Sequence, residues 1–529
     1  MAESRATSRL SAILSHLPFV SAAPSAIEVA VAELQAAFPA EQLSLDVKTL
    51  KRFGQSWGSF SPPAPAAIVV HAESTADVVK VVNIAVKHRI TLIPVAGKTS
   101  LEGQFLPPSC CNPPSADTRL PSGKLNEEEQ TVATRPTIQL SLARMDKIIA
   151  VHAQDGQAVV QPGVGWQSLN EELAELGHKL FFPIDPAPGA QFGGMVGVGG
   201  SGTNAVGYGT MRAEWIQGME VVLMNGEVIN TRGKGRSRKS STGWDTGRLF
   251  LGSEGTLGII TSLTVRLAPL IPLKAALTSF PSVASAVSAV VEIIGAGLSP
   301  TSLELLDGTS IRGMNLAELL PYKLEEEPTV MMRFSSPLEE VVNVALDKVK
   351  EIVAKNGGRP LRVARDDKES TKIWGARKAQ YWSQQLLIGE GCRTLLTDIC
   401  VPISRLAEFV ERSELDVAQS GLLAPIVAHI GDGNVHRAIL YKLKEGEVEA
   451  PPEVAKLASK LSKLAIELEG TCAGEHGIGT TKRKYLREEL GAGTLNLMRR
   501  IKAELDPLGL LNPGKVIYET LEEEEESKT

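Results

Sequence analysis

"GAQFGGMVGVGGSGTNAVGYG", residues 189–209, holds nine glycines in 21 positions. Backbone stripped of side chains lets N–H groups approach a ligand closely, which suits a phosphate-bearing group. Inside it, "GVGGSG" at 197–202 fits G-x-G-x-x-G. In a doubly wound dinucleotide fold that pattern follows a strand, opens a helix and has an acid at a strand end about 20 residues on. Gly207 and Gly209 break any following helix, and no acid stands where it is needed. The doubly wound fold is rejected. "GKTS" at 97–100 imitates the end of a P-loop, but its leading glycine would fall on Leu92, and Gly103, Pro107 and Pro108 interrupt the helix.

Working outward, "AAIVVHAESTADVVKVVNIAVKHRITLIPVAG" (66–97) predicts strand, helix, strand, with Ser74-Thr75 as the cap and Val78, Val81, Val82 and Ala85 turned inward. Short apolar strands alternate with glycine turns from 137 to 269, and "APLIPLK" (268–274) marks a boundary. Beyond it, helical patterns at 283–297 and 338–356 alternate with strands at 328–334, 394–402 and 424–441. That predicts an α+β fold with a mostly antiparallel second sheet. The expected divisions are a helical start at 1–61, a first domain at 62–270 with an insertion at 107–136, a second domain at 271–470, a returning segment at 471–517 and an acidic, disordered tail at 518–529.

With 529 residues the chain exceeds one hydrophobic core, and 43% apolar and 22% charged residues are ordinary for a soluble globular protein. The net charge of −6, with no dominant Lys/Arg-rich stretch, argues against nucleic-acid binding. Five cysteines without a Cys-x-x-Cys pair argue against a disulfide framework. No apolar run is long enough to span a membrane. The start, with Arg5 and Arg9 beside an apolar helical face, reads either as a mitochondrial transit peptide or as a plain helix.

"HIGDGNVH" at 429–436 lies between the apolar runs "APIVA" and "RAILY", a hairpin signal. With Asp432-Gly433 as the turn, His429 faces His436 across the ladder, close enough for both imidazoles to reach one metal ion. Two histidines that merely hydrogen-bond are the competing reading of these eight residues. Glu475 and His476 in "AGEHGIGTTKRKYL" offer a carboxylate to complete a His₂-Glu set.

Taken together, "IPVAGKTSLEGQF" (93–105), "VVQPGVGWQSLNEEL" (159–173), "DPAPGAQFGGMVGVGGSGTNAVGYGT" (185–210) and "GSEGTLGIIT" (252–261) resemble the flavin-binding half of vanillyl-alcohol-oxidase-type flavoproteins. "HIGDGNVH", "GEHGIG" (474–479) and "LDPLGLLNPGKV" (505–516) resemble the C-terminal half of their 2-hydroxy-acid dehydrogenase branch. The resemblance implies FAD in a two-subdomain binding domain of the p-cresol-methylhydroxylase type, under an α+β cap with an antiparallel sheet. It assigns the FAD pyrophosphate to the turn Ala96, Gly97, Lys98, Thr99, Ser100 and Leu101. Asp185, Gly194, Ser201, Gly202, Gly209, Thr210, Glu254, Gly258 and Ile260 are expected along the cofactor, and Asn512 near the isoalloxazine ring. Lys98 departs from the family, which has a small residue there; it either adds charge to the pyrophosphate site or points outward.

The same resemblance gives His429, His436 and Glu475 to a divalent metal, zinc or manganese, and makes His476 the base. Arg377 in "KIWGARKAQYW" (372–382) is the expected clamp for a substrate carboxylate, because a guanidinium pairs bidentately with one; Trp374 and Trp382 pack the same helix. The implied activity is FAD-dependent oxidation of D-lactate to pyruvate, with electrons passing to cytochrome c, in mitochondria. D-2-hydroxyglutarate oxidation is the alternative, but relatives of that kind carry a lysine where "TLLTDICVP" (394–402) has Leu396. A flavin-fold ether-lipid synthase and a non-enzymatic metal-binding module are the readings from other classes. The covalent-flavin tethering pattern is not evident, so noncovalent FAD is expected. Metal identity and oligomeric state stay open, a homodimer among the options.

Overall fold

The strand–helix–strand pattern at 66–97 folds as its periodicity predicts. The computed structural model describes residues 25–56, 64–108, 136–444, 447 and 449–526. The transit-peptide reading of the first 24 residues and most of the expected insertion (109–135) fall outside the described residues. Strands β1 (Leu43–Ser44), β2 (Ile68–His71), β3 (Thr91–Val95) and β4 (Thr137–Ser141) form a sheet in the order β1-β2-β4-β3, with β2 and β3 parallel to β4. Helix Thr75–His88 starts where the Ser74 side chain accepts from the Asp77 amide, and it buries Val78, Val81, Val82 and Ala85 against that sheet.

A second, antiparallel sheet combines β5 (Ile148–His152), β6 (Gln157–Val160), β8 (Ile216–Val222), β9 (Val228–Asn230) and β10 (Ile259–Arg266), while β7 (Leu180–Phe181) pairs with β11 (Ala268–Pro269). Val222 and Ile259 pack into the core of the first sheet, so the two subdomains share apolar contacts. Between them the helix Phe192–Val198 ends at Gly199, which is left-handed at φ +65°. "GVGGSG" therefore sits at a helix C-terminus, the reverse of a dinucleotide fingerprint.

The second domain is an antiparallel sheet in the order β15-β12-β14-β13-β18-β19-β16, with β17 added beside β19. Its strands are β12 (Leu273–Ser279), β13 (Ser302–Leu306), β14 (Thr329–Ser335), β15 (Arg362–Val363), β16 (Cys392–Leu396), β17 (Ile399–Cys400), β18 (Ile426–His429) and β19 (Asn434–Lys442). Successive side chains of a strand point to opposite faces. Leu303, Leu305, Val330, Met332, Ile426, Ala428, Val435 and Ile439 meet four helices, Val283–Gly295, Glu339–Lys355, Leu406–Ser420 and Pro452–Glu467, on one face. Glu304, Arg333, Val427, His429 and His436 take the other, toward the first domain. Polar residues on that inner face are the signature of a site.

Three expectations change. The strand expected over 394–402 is divided into β16 and β17, both beside β19; between them Thr397 still bonds Arg437 of β19, while the Asp398 carboxylate turns to the Glu475 amide of the C-terminal segment. The acidic tail is not wholly disordered: Leu521–Glu526 is helical, and buried Glu524 pairs with Arg487 at 3.0 Å and Arg499 at 2.5 Å. The acidic average also concealed one basic run, "RGKGRSRK" at 232–239, which opens an exposed loop. Among the described residues no helix is long and apolar enough to cross a membrane.

Candidate active site

A cavity of about 740 Å³ lies between the two domains. Its floor is the turn 96–101, the glycine-rich stretch and the "SEG" turn at 253–255; its roof is β18, β19 and the helix Asp367–Gln384. Of the residues expected along a flavin, the turn 96–101, Asp185, Gly194, Ser201, Gly202, Glu254, Gly258 and Ile260 line the wall. Gly209, Thr210 and Asn512 do not. Asn512 is buried behind the wall, where its amide donates to the carbonyls of Gln104 (2.9 Å) and Glu254 (2.7 Å). The Thr210 hydroxyl accepts from the Arg212 amide at 3.1 Å, closing a local turn.

The floor fits a large group held against bare backbone. A Cβ on Gly194 would meet no protein atom within 4 Å and would stand in the cavity. A Cβ on Gly97 would lie 2.8 Å from the Gly189 carbonyl oxygen, and one on Gly202 would lie 2.6 Å from the Asp185 carbonyl carbon. The walls close up because side chains are missing. Lys98, at φ +57°, turns its ammonium over the Phe53 ring at 3.9 Å. Glu254 reaches past the cavity to accept from the amides of Ile478 (2.6 Å) and Gly479 (2.8 Å), and burial raises its carboxyl to a pKa of about 7.

In the roof, the hairpin has a different register from the one expected. His429 faces Asn434, and His436 faces Val427, because the loop spans Ile430–Gly433 rather than two residues. The two histidines are diagonal neighbours on one face, their ring centroids 5.4 Å apart. Convergence survives the shift, since a two-residue offset keeps the face. His429 Nε2 and His436 Nε2 approach the same Glu475 oxygen, Oε1, at 3.3 and 3.1 Å.

The far ring nitrogens fix the tautomers. His429 Nδ1 meets Glu304 Oε1 at 2.7 Å, and His436 Nδ1 meets the Thr397 carbonyl at 3.1 Å. Both partners can only accept when Glu304 is ionised, so each Nδ1 carries the proton and each Nε2 of a neutral ring presents a lone pair to a carboxylate. Such an arrangement needs a cation between the three atoms or a proton on both rings. The donor set fits a divalent ion. Burial alone would raise the Glu475 carboxyl and lower His429, yet His429 holds Glu475 well below its usual range, and Glu304 and Glu475 raise His429 well above; the two carboxylates call for positive charge at this point, which a second proton on His429 or a cation in its place supplies. The Ser201 hydroxyl, from the floor, donates to Glu475 Oε2 at 2.5 Å.

His476 stacks on His436 with centroids 5.0 Å apart and 13° between planes, its Nε2 3.9 Å from Glu475 Oε1. Among the described residues its Nδ1 has no hydrogen-bond partner, and burial lowers its pKa. A neutral imidazole beside this carboxylate can accept a proton. Arg377 differs from expectation. It lines the cavity, but Nε and Nη2 are engaged by buried Glu304 at 2.9 and 2.6 Å, so two of its donors are committed within the protein. Trp374 packs in the core and stacks on Arg333, while Trp382 sits at the cavity edge.

Two carboxylates escaped the sequence reading. Fully buried Asp398 accepts from the amides of Glu475 (3.0 Å) and His476 (2.8 Å) and from Asn434 Nδ2 (2.9 Å). Burial would raise its carboxyl, but His476 and Lys482 outweigh that and hold it low. Glu304 is the other. Each is an acid inside an apolar run, "LLTDIC" and "SLELL", and a buried charge requires partners. That signal was legible.

Sequence comparison fits this division of the cavity. The profile "FAD binding domain" matches residues 120–232, and "FAD linked oxidases, C-terminal domain" matches 273–516. A probable mitochondrial D-lactate dehydrogenase of Danio rerio is 35% identical over 95% of both chains. The mitochondrial D-lactate dehydrogenase [cytochrome] of Arabidopsis thaliana is 36% identical over 85% of this chain and 73% of its own. The chain belongs to the FAD-linked oxidase family. The structure of p-cresol methylhydroxylase superposes on this oxidase with a TM-score of 0.70 at 17% identity, covering 93% of this chain and 96% of the other, which shows the shared fold. The FAD-linked oxidase thus carries the glycine-rich stretch of its floor in the first matched region and its imidazole–carboxylate roof in the second, while the floor turns 96–101 and 253–255 lie outside both.

Proposed function

We propose that this FAD-linked oxidase converts a small D-2-hydroxy acid, D-lactate foremost, to the 2-oxo acid, with a zinc or manganese ion held by His429, His436 and Glu475. The observation that carries the reading is the meeting of two Nε2 atoms and Glu475 Oε1 over the glycine floor, with His476 alongside. FAD, when bound, takes the two electrons and the hydrogen leaving the substrate carbon. The ion, when bound, offsets the substrate's carboxylate charge and lowers the pKa of its hydroxyl.

The chain's own residues do the rest. His476, kept neutral by burial, accepts the hydroxyl proton at Nε2, the nitrogen facing the cluster. Asp398 holds the backbone that carries both Glu475 and His476. Arg377 Nη1, which makes no hydrogen bond among the described residues, leaves that end of the guanidinium to the substrate carboxylate. Leu396 lines the cavity where relatives acting on D-2-hydroxyglutarate carry a lysine, and an apolar wall favours a substrate without a second carboxylate. The names of both relatives place them in mitochondria, and one names a cytochrome; those names support mitochondrial location and cytochrome c as acceptor here.

Steady-state kinetics on D- and L-2-hydroxy acids, with cytochrome c or a dye as acceptor, tests the reading. D-lactate should turn over, and a chelator should stop it while the protein stays yellow. Turnover unaffected by exhaustive chelation removes the ion from the proposal; no turnover of any 2-hydroxy acid removes the proposal. Acid precipitation should release the flavin, as noncovalent binding requires.

A further inference from the structure

Glu304 sits in the middle of β13, between Leu303 and Leu305, which face the helical core. Its side chain is 1% exposed and does not reach the cavity wall. Its two oxygens serve two different groups: Oε1 accepts from His429 Nδ1 at 2.7 Å, and Oε2 accepts from Arg377 Nε at 2.9 Å and Nη2 at 2.6 Å. Both partners lie on other elements, β18 and the helix Asp367–Gln384, and both line the cavity. We propose that Glu304 is a positioning residue that joins the substrate-binding arm to the metal-binding arm, fixing Arg377 and His429 through one carboxylate. The proposal rests on the function proposed above.

The carboxylate joins two groups that stand in different roles in the cavity, Arg377 and His429. Removing its charge while keeping its shape frustrates both ends: a glutamine has one acceptor oxygen, and its amide group sets donor against donor on the other side. A guanidinium is always protonated, so the two short bonds that Arg377 makes to Oε2 pair the Glu304 carboxylate with a permanent cation. Because both arms depend on one group, the ligands they bind become energetically linked, and such linkage is reciprocal.

The test uses FAD-loaded protein. Mn²⁺ is titrated into the chelator-treated form, and kcat and KM for D-lactate are measured separately. Glu304→Gln should weaken Mn²⁺ by about 10- to 100-fold, the usual cost of losing the partner of a ligating histidine. It should also raise KM by about tenfold, the size of a lost bond to a charged group, with flavin absorbance unchanged. Arg377→Lys should raise KM while Mn²⁺ affinity stays within about twofold of the parent, since Lys keeps a charge near Glu304. A Glu304→Gln protein that moves one readout without the other, or neither, overturns the bridge. Should that protein fail to fold, Glu304→Asp keeps the charge but is one methylene too short to reach both partners; normal values in both readouts again overturn it. A parent that oxidises D-lactate beside an indistinguishable Glu304→Gln protein refutes the bridge alone. A parent that oxidises no 2-hydroxy acid refutes the proposed function, and the bridge with it.

Discussion

The floor of the cavity is made of backbone, and its roof is made of side-chain tips. On the floor, specificity comes from what is missing: Gly97, Gly194 and Gly202 keep the surface bare or the walls close. In the roof it comes from charge, with His429, His436 and Glu475 held from behind by Glu304, Thr397 and Asp398. The difference teaches how each half fails. A floor of this kind is broken by adding one carbon, whatever its polarity. A roof of this kind is broken by removing one charge, whatever its shape.

Glu475→Gln should have the largest effect. The glutamine fits the space, but the charge that would hold the ion is gone, and several kcal/mol of assistance go with it, so turnover should fall by about 10⁴-fold or more. Flavin absorbance should be retained; its loss in this variant would merge roof and floor into one site. His476→Ala should lower kcat by about 10²–10⁴-fold, the span of a general-base contribution, with metal content unchanged by elemental analysis. Metal loss there would turn His476 into a ligand.

Gly202→Ala attacks the floor. The added Cβ would stand 2.6 Å from the Asp185 carbonyl carbon. Overpacking of that kind costs about 1–3 kcal/mol, or roughly 5- to 150-fold in the FAD dissociation constant if binding bears it. Fluorescence titration of flavin-stripped protein reads this, and Mn²⁺ affinity should not change. Lys98→Met should matter least, because its ammonium rests on Phe53 in a contact worth about 0.5–1 kcal/mol. FAD affinity should stay within about threefold; a much larger loss would place the lysine on the pyrophosphate.

The two halves were unequally legible in the sequence. Floor residues announce themselves, because glycine density and turn spacing are local properties, and 96–101, Gly194 and Gly202 all reach the cavity. The roof's imidazoles and carboxylate were legible too, since "HIGDGNVH" and "GEHGIG" gather rare residues. Their arrangement was not. A four-residue loop in place of a two-residue turn shifted the hairpin register, and no local signal separates the two. Arg377 reads as a free cation until Glu304, 73 positions away, is folded against it. Asn512 reads as a flavin contact until its amide is seen tying Gln104 to Glu254. Pairings across such separations belong to tertiary structure.

The returning C-terminal segment bears on the order of synthesis. Leu511 bridges Leu92, Asn512 grips the Gln104 carbonyl 408 positions earlier, and Gly479 seats the Glu254 carboxylate. The first domain therefore lacks its last internal partners until the end of the chain has left the ribosome. Contacts of such high order close late. The nascent first half emerges without these contacts behind its glycine floor, and truncation near residue 505 should damage the domain farthest from it in sequence.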